Sequence, residues 1–194
     1  MEDFWLYFKL GFNHVLDATA YDHVLFIGVL VAAYSLKQWK RILALVSLFT
    51  VGHCLSLALA AFDVLHFDKA IIEFLIPLSI VFTAIFNLFT AGKDTGGTKS
   101  AVLYIITLFF GLVHGFGFST YFNMLSEGAS DIALMLLEFA LGIEASQLVV
   151  VLVILILSGI FQTLLRFSKR DWVLIISSIV LGLSLPLLFD NWIF

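Results

Sequence analysis

Long apolar runs separated by short polar connectors are the dominant pattern of this sequence. Six runs are long enough, or nearly so, to cross about 30 Å of hydrocarbon as helices that rise 1.5 Å per residue. They lie at 20–36, 42–62, 70–91, 101–122, 132–163 and 172–190. The fifth run is too long for one upright span, so we expect its helix to tilt, break or protrude from the bilayer. The pattern predicts an all-α integral membrane protein, a six-helix transmembrane bundle in which 1–194 form one domain.

The N-terminal segment 4–17 is apolar and aromatic but carries four polar interruptions, Lys9, Asn13, His14 and Asp17. A segment of this kind is typical of a helix that lies at the membrane surface or dips into it. We therefore expect an interfacial or re-entrant helix that leads into the first span, in preference to a seventh span. Its acidic start and its lack of a small-residue cleavage site argue against a cleaved signal peptide.

The charged residues are divided between two sets of connectors, and this division predicts the orientation of the chain. Eight of the ten basic residues lie in alternate connectors: Lys37, Lys40, Arg41, Lys93, Lys99, Arg166, Lys169 and Arg170. The opposite connectors hold mostly acids, with one lysine among them: Asp63, Asp68, Lys69, Glu73, Glu127 and Asp131. The positive-inside rule assigns the basic side to the cytoplasm. With six spans, both termini then lie outside.

Composition agrees with a membrane protein and excludes several other classes. Hydrophobic residues make up 62% of the 194 residues and charged residues 12%, about half the charge fraction of an ordinary soluble domain. A folded chain of this size cannot bury so much apolar surface, so the lipid bilayer is its expected solvent. The single cysteine, Cys54, excludes an internal disulfide framework and a CxxC metal site. We expect no nucleic-acid partner.

Ionisable side chains at matched depth interrupt the apolar pattern. His53 lies about 18 Å above the cytoplasmic start of the second span, and His114 reaches nearly the same height on the fourth. On the fifth span, Glu138 and Glu144 lie about 10 and 20 Å below its outer start. Further polar groups stand at the outer mouth of the first and third spans: His14, Asp17, Asp22, His23 and Glu73. The outer half of the bilayer thus collects imidazoles and carboxylates, whereas the inner half receives Asn87 and little else.

These groups have the chemistry of a cation site. Each is expected to cost several kcal/mol in lipid unless it is paired, hydrated or bound to a cation. Neutral imidazoles and carboxylates are the ligands of Zn²⁺, Ni²⁺, Co²⁺ and Cu²⁺, and they serve equally well in a proton relay. No lysine or arginine lies within the spans to neutralise the acids. The sequence therefore favours an exogenous cation, with Asp22 and His23 at the rim of its site.

Each of these residues also has a purely structural interpretation. A single histidine in a membrane helix often bonds to a neighbouring helix, and Asp22 can cap the start of its helix. His66, between two acids of an outer loop, is expected to be solvated. Glu138 and Glu144 are six residues apart, about 120° around a helix, so they cannot both face one site without a bend. Gln147 shares the face of Glu144, which favours Glu144 as the site residue.

Five stretches of the chain resemble one known family. They are DHVLF (22–26), FTVGHCLSLALA (49–60), the segment from IEFLIPLSI to Asn87 (72–87), FGLVHGFGFS (110–119) and FALGIEASQL (139–148). Together they are similar to the second branch of the HupE/UreJ family of small bacterial membrane proteins, which is associated with hydrogenase and urease maturation. The stretches follow the expected order and run through five of the six predicted spans.

The resemblance implies an inner-membrane permease that moves nickel or cobalt toward metalloenzyme-maturation proteins. Matched position by position, it implies a functional set of Asp22, His23, His53, His114 and Glu144. Family members often carry a histidine six residues before the aspartate of the Asp-His pair. In this chain His14 stands eight residues before Asp22, with no glycine between, so His14 or Asp17 would take that place.

The leading hypothesis is a permease or metal-binding protein for a divalent transition-metal ion such as nickel, cobalt or zinc. Its outward-facing site would comprise His14, Asp22, His23, His53, His114 and Glu144. The apolar inner half argues against a channel and favours an alternating mechanism. The alternative is an intramembrane zinc hydrolase that acts on a lipid or membrane peptide, with Glu144 or Glu138 as general base. A third hypothesis keeps the site in an assembly factor or metal sensor, and overall a non-enzymatic role is favoured.

Overall fold

The computed structural model describes residues 2–93, 96–127 and 131–193, with only the backbone described at 2–3 and 96–100. Lys99, predicted as a basic connector residue, has its side chain outside this description. The described chain forms seven α-helices and one 3₁₀ turn, Leu36–Gln38, and no strand. In chain order the helices are α1 Glu2–Val15, α2 Asp22–Ala32, α3 Trp39–Ala61, α4 Lys69–Thr90, α5 Gly96–Ser126, α6 Ile132–Thr163 and α7 Lys169–Asp190.

Five of the described helices, α3 to α7, are long and apolar enough to cross a membrane. They confirm the helical character of five predicted spans and make this a multi-pass membrane protein. The bounds of α6 coincide with the predicted run 132–163, and the helix is continuous, so of the three predicted alternatives the break is excluded and tilting or protrusion remains. At 32 residues it is about 48 Å long, so an upright α6 would project beyond a hydrocarbon layer of about 30 Å.

The predicted first span, 20–36, contains a much shorter helix. Helix α2 has 11 residues, nine of them buried, and is about 16 Å long, which is half the hydrocarbon thickness. It packs against α4, α6 and α7. The last carbonyls of a helix have no partner within it, and Asn87 Nδ2 on α4 donates to one of them, Val29 O, at 2.6 Å. Asn87 therefore stabilises the end of a short core helix, and the count of six full spans stays a prediction.

Helix α1 is packed on the side of α6. A Cβ added to Gly11 would collide with Phe139 O, and one added to Gly142 would collide with Phe8 O. Such reciprocal backbone contact requires glycine in both helices, because any side chain would separate them. The N-terminal segment predicted as interfacial or re-entrant is thus held on the bundle by this contact, and His14 near its end faces the other helices.

Helices α3 and α5 make an equally close contact and run in the same direction. Gly111 lies against the backbone from Phe49 to His53, and Gly115, one turn later, lies against His53 O and Ser56 Oγ. This direction is the one that the predicted topology requires of the second and fourth spans. The contact sets the two helices in register, so that His53 and His114 lie at neighbouring levels.

Several acids near the helix starts have structural partners. Asp68 accepts a hydrogen bond from the backbone N–H of Ala70, and Asp131 accepts one from Leu134. Each is a helix cap of the kind that stabilises a helix by about 1 kcal/mol. Glu73 Oε1 lies 3.3 Å from Lys69 Nζ. These local partners leave the carboxylates near the histidines as the candidates for cation binding.

Candidate metal centre

Four of the five histidines meet at one place in the bundle, although they come from four different helices. The ring centroids of His14 on α1 and His23 on α2 are 4.7 Å apart, and His53 on α3 lies 5.5 Å from the first and 5.7 Å from the second. His114 on α5 completes the group at 4.9 Å from His23. We call these four residues the histidine cluster. Candidate ligand atoms of His14, His23 and His53 all lie within 4.8 Å of one another.

Every imidazole of the histidine cluster has a buried nitrogen without a hydrogen-bond partner in the described part of the chain. These atoms are Nε2 of His14, His23 and His114, and both ring nitrogens of His53. His23, His53 and His114 are at most 2% exposed. A buried polar atom left without a partner is expected to destabilise the fold by about 1–3 kcal/mol. Four such imidazoles side by side provide lone pairs that suit a bound cation.

Two of the imidazoles are oriented by hydrogen bonds through their other nitrogen. His114 Nδ1 lies 2.8 Å from Phe110 O, one turn earlier on α5, and a carbonyl can only accept. His23 Nδ1 lies 3.1 Å from Asp22 Oδ1. Donation at Nδ1 leaves Nε2 of both rings with a free lone pair. Metal-bound histidines likewise donate one ring N–H to a carboxylate or a backbone carbonyl and bind the metal through the other nitrogen.

Asp22 has a second role at the histidine cluster. While Oδ1 orients His23, Oδ2 lies 3.9 Å from His114 Nε2. The backbone N–H of His23 also donates to Oδ1, at 2.9 Å, at the start of α2. The carboxylate therefore holds the helix start and one imidazole with one oxygen, and it presents the other oxygen and its negative charge to the cluster.

Aromatic side chains pack around the histidine cluster. The ring of Phe118 lies 4.0 Å from that of His14, and the ring of Phe49 lies 5.3 Å from that of His114. Phe139 stacks on Phe118 at 5.3 Å. An apolar shell of this kind keeps water away and strengthens electrostatic attraction between the site and a cation.

A cavity of about 470 Å³ connects the histidine cluster with the surface. His14, Asp22, His23 and His114 line its buried part, and Asp17, Glu73 and Asn191 line its exposed part. His53 does not line the cavity and is fully buried behind the other three imidazoles. Hydrogen bonds from the side chain and the backbone of Thr19 lower the pKa of the Asp17 carboxyl, which keeps it ionised. An incoming cation thus meets carboxylates first and imidazoles last.

The structure brings together five of the six residues predicted for the site: His14, Asp22, His23, His53 and His114. It does not bring Glu144 to them. The Glu144 carboxylate accepts hydrogen bonds from Ser47 Oγ at 2.6 Å and Thr50 Oγ1 at 2.5 Å, on the turns of α3 that precede His53.

The remaining candidates fall outside the histidine cluster. Glu138 is buried on α6, and Asp17 lies at the cavity mouth. His66 is more than half exposed and lies 3.4 Å from Asp63 in its loop, in agreement with the expectation that it is solvated. Sequence reasoning overlooked Ser47 and Thr50, although their three-residue spacing toward His53 marks one side of α3 as polar.

Comparison with known proteins identifies a family and no individual relative. No curated protein and no solved structure matches the chain. A family model described as HupE / UreJ protein matches residues 1–190, nearly the whole chain. This family is linked to nickel and cobalt transport, and the histidine cluster supplies ligands that such ions prefer. On the strength of that match, the chain belongs to the HupE/UreJ family.

Proposed function

We propose that this protein is an inner-membrane permease that binds a divalent transition-metal ion at the histidine cluster and moves it across the membrane. Nickel and cobalt are the expected cargo, and zinc fits the same ligands. The observation that carries the proposal is the convergence of four imidazoles from four helices, each with a buried nitrogen lacking a partner. In this cluster each imidazole keeps a buried nitrogen without a partner in the described part of the chain, and candidate ligand atoms of His14, His23 and His53 lie within 4.8 Å of one another.

The ligand set supports a transition metal over magnesium or calcium. Imidazole nitrogen is a ligand of nickel, cobalt and zinc, whereas Mg²⁺ and Ca²⁺ prefer oxygen. Metal–nitrogen bonds of about 2.1 Å place the ligand atoms of a tetrahedral ion about 3.4 Å apart. The candidate ligand atoms of His14, His23 and His53 lie within 4.8 Å of one another. Side-chain movements of about 1 Å therefore suffice to close the site on an ion.

The charge of the access path supports entry from the acidic side of the bundle. Asp17, Asp22 and Glu73 line the cavity, and a cleft of one charge concentrates ions of the other. With the basic connectors in the cytoplasm, this mouth and both termini face the periplasm. An ion that reaches the histidine cluster then needs a conformational change to leave on the inner side, because α2 and its apolar neighbours occupy that half.

Metal binding to purified protein tests the proposal. We expect the wild-type chain to bind about one Ni²⁺ or Co²⁺, and His53→Ala to weaken binding by on the order of 100-fold, because a buried ligand is lost. His66→Ala is the matched control, since this fifth histidine lies in an exposed loop, and it should bind as the wild type does. Uptake of the same ions into proteoliposomes should likewise be weakened in His53→Ala and unchanged in His66→Ala.

Two further variants separate loss of a ligand from loss of the fold. His53→Gln keeps a polar side chain of similar length, and His23→Ala removes a different imidazole from the histidine cluster. Circular dichroism and size-exclusion chromatography identify the preparations that remain folded. If folded His53→Gln and His23→Ala both retain stoichiometric metal, the histidine cluster is not the metal site and the proposal is wrong.

A further inference from the structure

A second polar cluster lies between α3 and α6, next to the histidine cluster but built without nitrogen ligands. It consists of Ser47, Thr50, Glu144 and Gln147, and we call it the Glu144 cluster. Its side-chain oxygens are closely spaced: Ser47 Oγ lies 2.6 Å from Glu144 Oε1, and Thr50 Oγ1 lies 2.5 Å from Glu144 Oε2. Thr50 Oγ1 also lies 3.0 Å from Gln147 Oε1 and 3.3 Å from Val46 O.

The Glu144 cluster has more acceptors than donors. The Thr50 hydroxyl has one proton but three oxygens within reach, those of Glu144, Gln147 and Val46. Ser47 supplies one further proton, which the other oxygen of Glu144 accepts. The amide of Gln147 is fully buried, yet its Nε2 has no partner in the described part of the chain, so it does not relieve the shortage. The surplus of lone pairs indicates that a cation belongs among these oxygens.

The position of the Glu144 cluster separates it from the histidine cluster along the bundle. Thr50 and Ser47 precede His53 by three and six residues, which is about 4.5 and 9 Å along α3. That direction leads toward the N-terminal end of α3, where the basic residues Lys40 and Arg41 are found. The Glu144 cluster therefore lies between the histidine cluster and the basic end of α3, which the proposed orientation places on the cytoplasmic side.

The ligands select the class of cation. Carboxylate, hydroxyl, amide and carbonyl oxygens bind hard cations, and they compete poorly with imidazole for nickel or cobalt. Glu144 is the one charged member of the cluster, so a monovalent ion neutralises it, whereas a divalent ion would leave a net charge inside the membrane. Six oxygens from five residues each lie within hydrogen-bond distance of another oxygen of this group, and they are more than a bound proton uses. Sodium fits both the charge and the number of oxygens.

We propose that the Glu144 cluster is a Na⁺ site. Na⁺ binding there is inferred from the oxygens of this cluster and not from the metal site, whereas the role of Na⁺ as the ion whose gradient drives transport rests on the proposed permease function. Secondary transporters place coupling ions beside the substrate site near the middle of the membrane, where one binding event can bias the conformation that the other needs. The adjacency of the two clusters along α3 meets this requirement.

Thermal unfolding in Na⁺ and in K⁺ tests the site on the purified, metal-free chain in detergent. An ion that binds only the folded state raises the apparent Tm, and for a chain of this size we expect a rise of about 2–5 °C on replacing K⁺ by Na⁺. Glu144→Gln and, separately, Thr50→Val should abolish this difference, since each removes an oxygen ligand. Retention of the difference in both variants, or its absence from the wild type, overturns the proposal.

Two control variants distinguish this site from the metal site. Glu138→Gln removes a buried carboxylate from the same helix without touching the Glu144 cluster, and it should keep the full Na⁺ effect. His53→Ala should lose metal binding and keep the Na⁺ effect, whereas Glu144→Gln should do the reverse. If His53→Ala keeps its metal, the permease proposal fails while the Na⁺ site stands. If metal uptake into proteoliposomes follows a proton gradient and ignores Na⁺, the coupling role of the Na⁺ site is wrong.

Discussion

Asp22 is the residue on which the histidine cluster depends most for its orientation. Its carboxylate contacts the Nδ1 and the backbone N–H of His23 and lies within 4 Å of His114 Nε2. A carboxylate behind an imidazole fixes the tautomer of the ring and raises its basicity toward a metal. One short side chain thus links the start of α2 to two members of the cluster.

Replacing this carboxylate should weaken metal binding without unfolding the protein. We expect Asp22→Asn to reduce Ni²⁺ affinity by about 10–100-fold, because an amide is neutral and orients His23 less strongly. Isothermal titration of the purified variant measures the change. Asp63→Asn is the matched control, since Asp63 and His66 form an aspartate–histidine pair in an exposed loop. An Asp22→Asn affinity equal to that of this control would contradict the assigned role.

Acidification should release the metal. Imidazole binds a metal only when neutral, and burial lowers the pKa of His14 from 6.5 to about 3, so protons compete with the metal only well below pH 6.5. The loss of affinity should therefore begin below about pH 5, and with several histidines at the site it should be steeper than that of a single ligand. Equilibrium dialysis at stepped pH measures it. Unchanged affinity at about pH 3, in protein that is still folded, would contradict ligation by His14.

At the scale of helices, glycines place the histidines at matching levels. Gly111 lets α5 approach the backbone of α3 between Phe49 and His53, and Gly11 and Gly142 do the same for α1 and α6. The cluster therefore depends on contacts between helices as well as on the histidines themselves. A side chain at one of these glycines would move a whole helix and the imidazole that it carries.

A single methyl group at this contact should be enough to disturb it. Gly111→Ala places a Cβ against Phe49 O, so we expect a lower Tm and weaker metal binding even though all four histidines remain. Gly159→Ala is the control, because no atom of another residue lies within 4 Å of its added Cβ. Alanine also stabilises a helix by about 1 kcal/mol relative to glycine. The Tm of Gly159→Ala should equal or exceed that of the wild type. A Gly111→Ala variant as stable as Gly159→Ala would contradict the packing account.

The helices themselves were predictable to different extents. Hydropathy located α6 at its observed bounds and α4 within one residue, whereas α5 extends five residues before and four after the predicted run. The shortness of α2 was not predictable, because a run of apolar residues has the same hydropathy whether lipid or other helices surround it. Only the three-dimensional structure shows that α2 is surrounded by helices, because α4, α6 and α7 bury it and Asn87 donates a hydrogen bond to its end.

The sequence predicted the depth of the site residues in the membrane, but it did not predict how each helix is rotated about its axis. Counting residues from the ends of the spans placed His53 and His114 at one level, and both lie beside His23, whose ring is 5.7 Å from that of His53 and 4.9 Å from that of His114. For Glu144 the same count gave a plausible depth, but which neighbour its face meets depends on how α6 is rotated in the bundle. The structure turns it toward Ser47 and Thr50, and no periodicity in the sequence specifies that choice.

Across the whole molecule, three kinds of polar group follow one another from the cavity mouth into the bundle. Carboxylates line the exposed part of the cavity, imidazoles form its buried end, and an oxygen cluster follows along α3. The inner half beyond these groups is filled by α2 and its neighbours, so passage requires the bundle to rearrange. Binding of the cargo ion by the imidazoles is the step on which the proposed path depends.

X-ray absorption at the metal edge of purified, Ni²⁺-loaded protein tests that central claim most directly. The account predicts a first shell of nitrogen and oxygen atoms at about 2.0–2.1 Å, with the outer-shell scattering of at least three imidazole rings. Those imidazole features should be retained in His66→Ala and reduced by one ring in His53→Gln. A shell of oxygens without imidazole scattering would contradict the account, because the four converging histidines would then have no part in holding the ion.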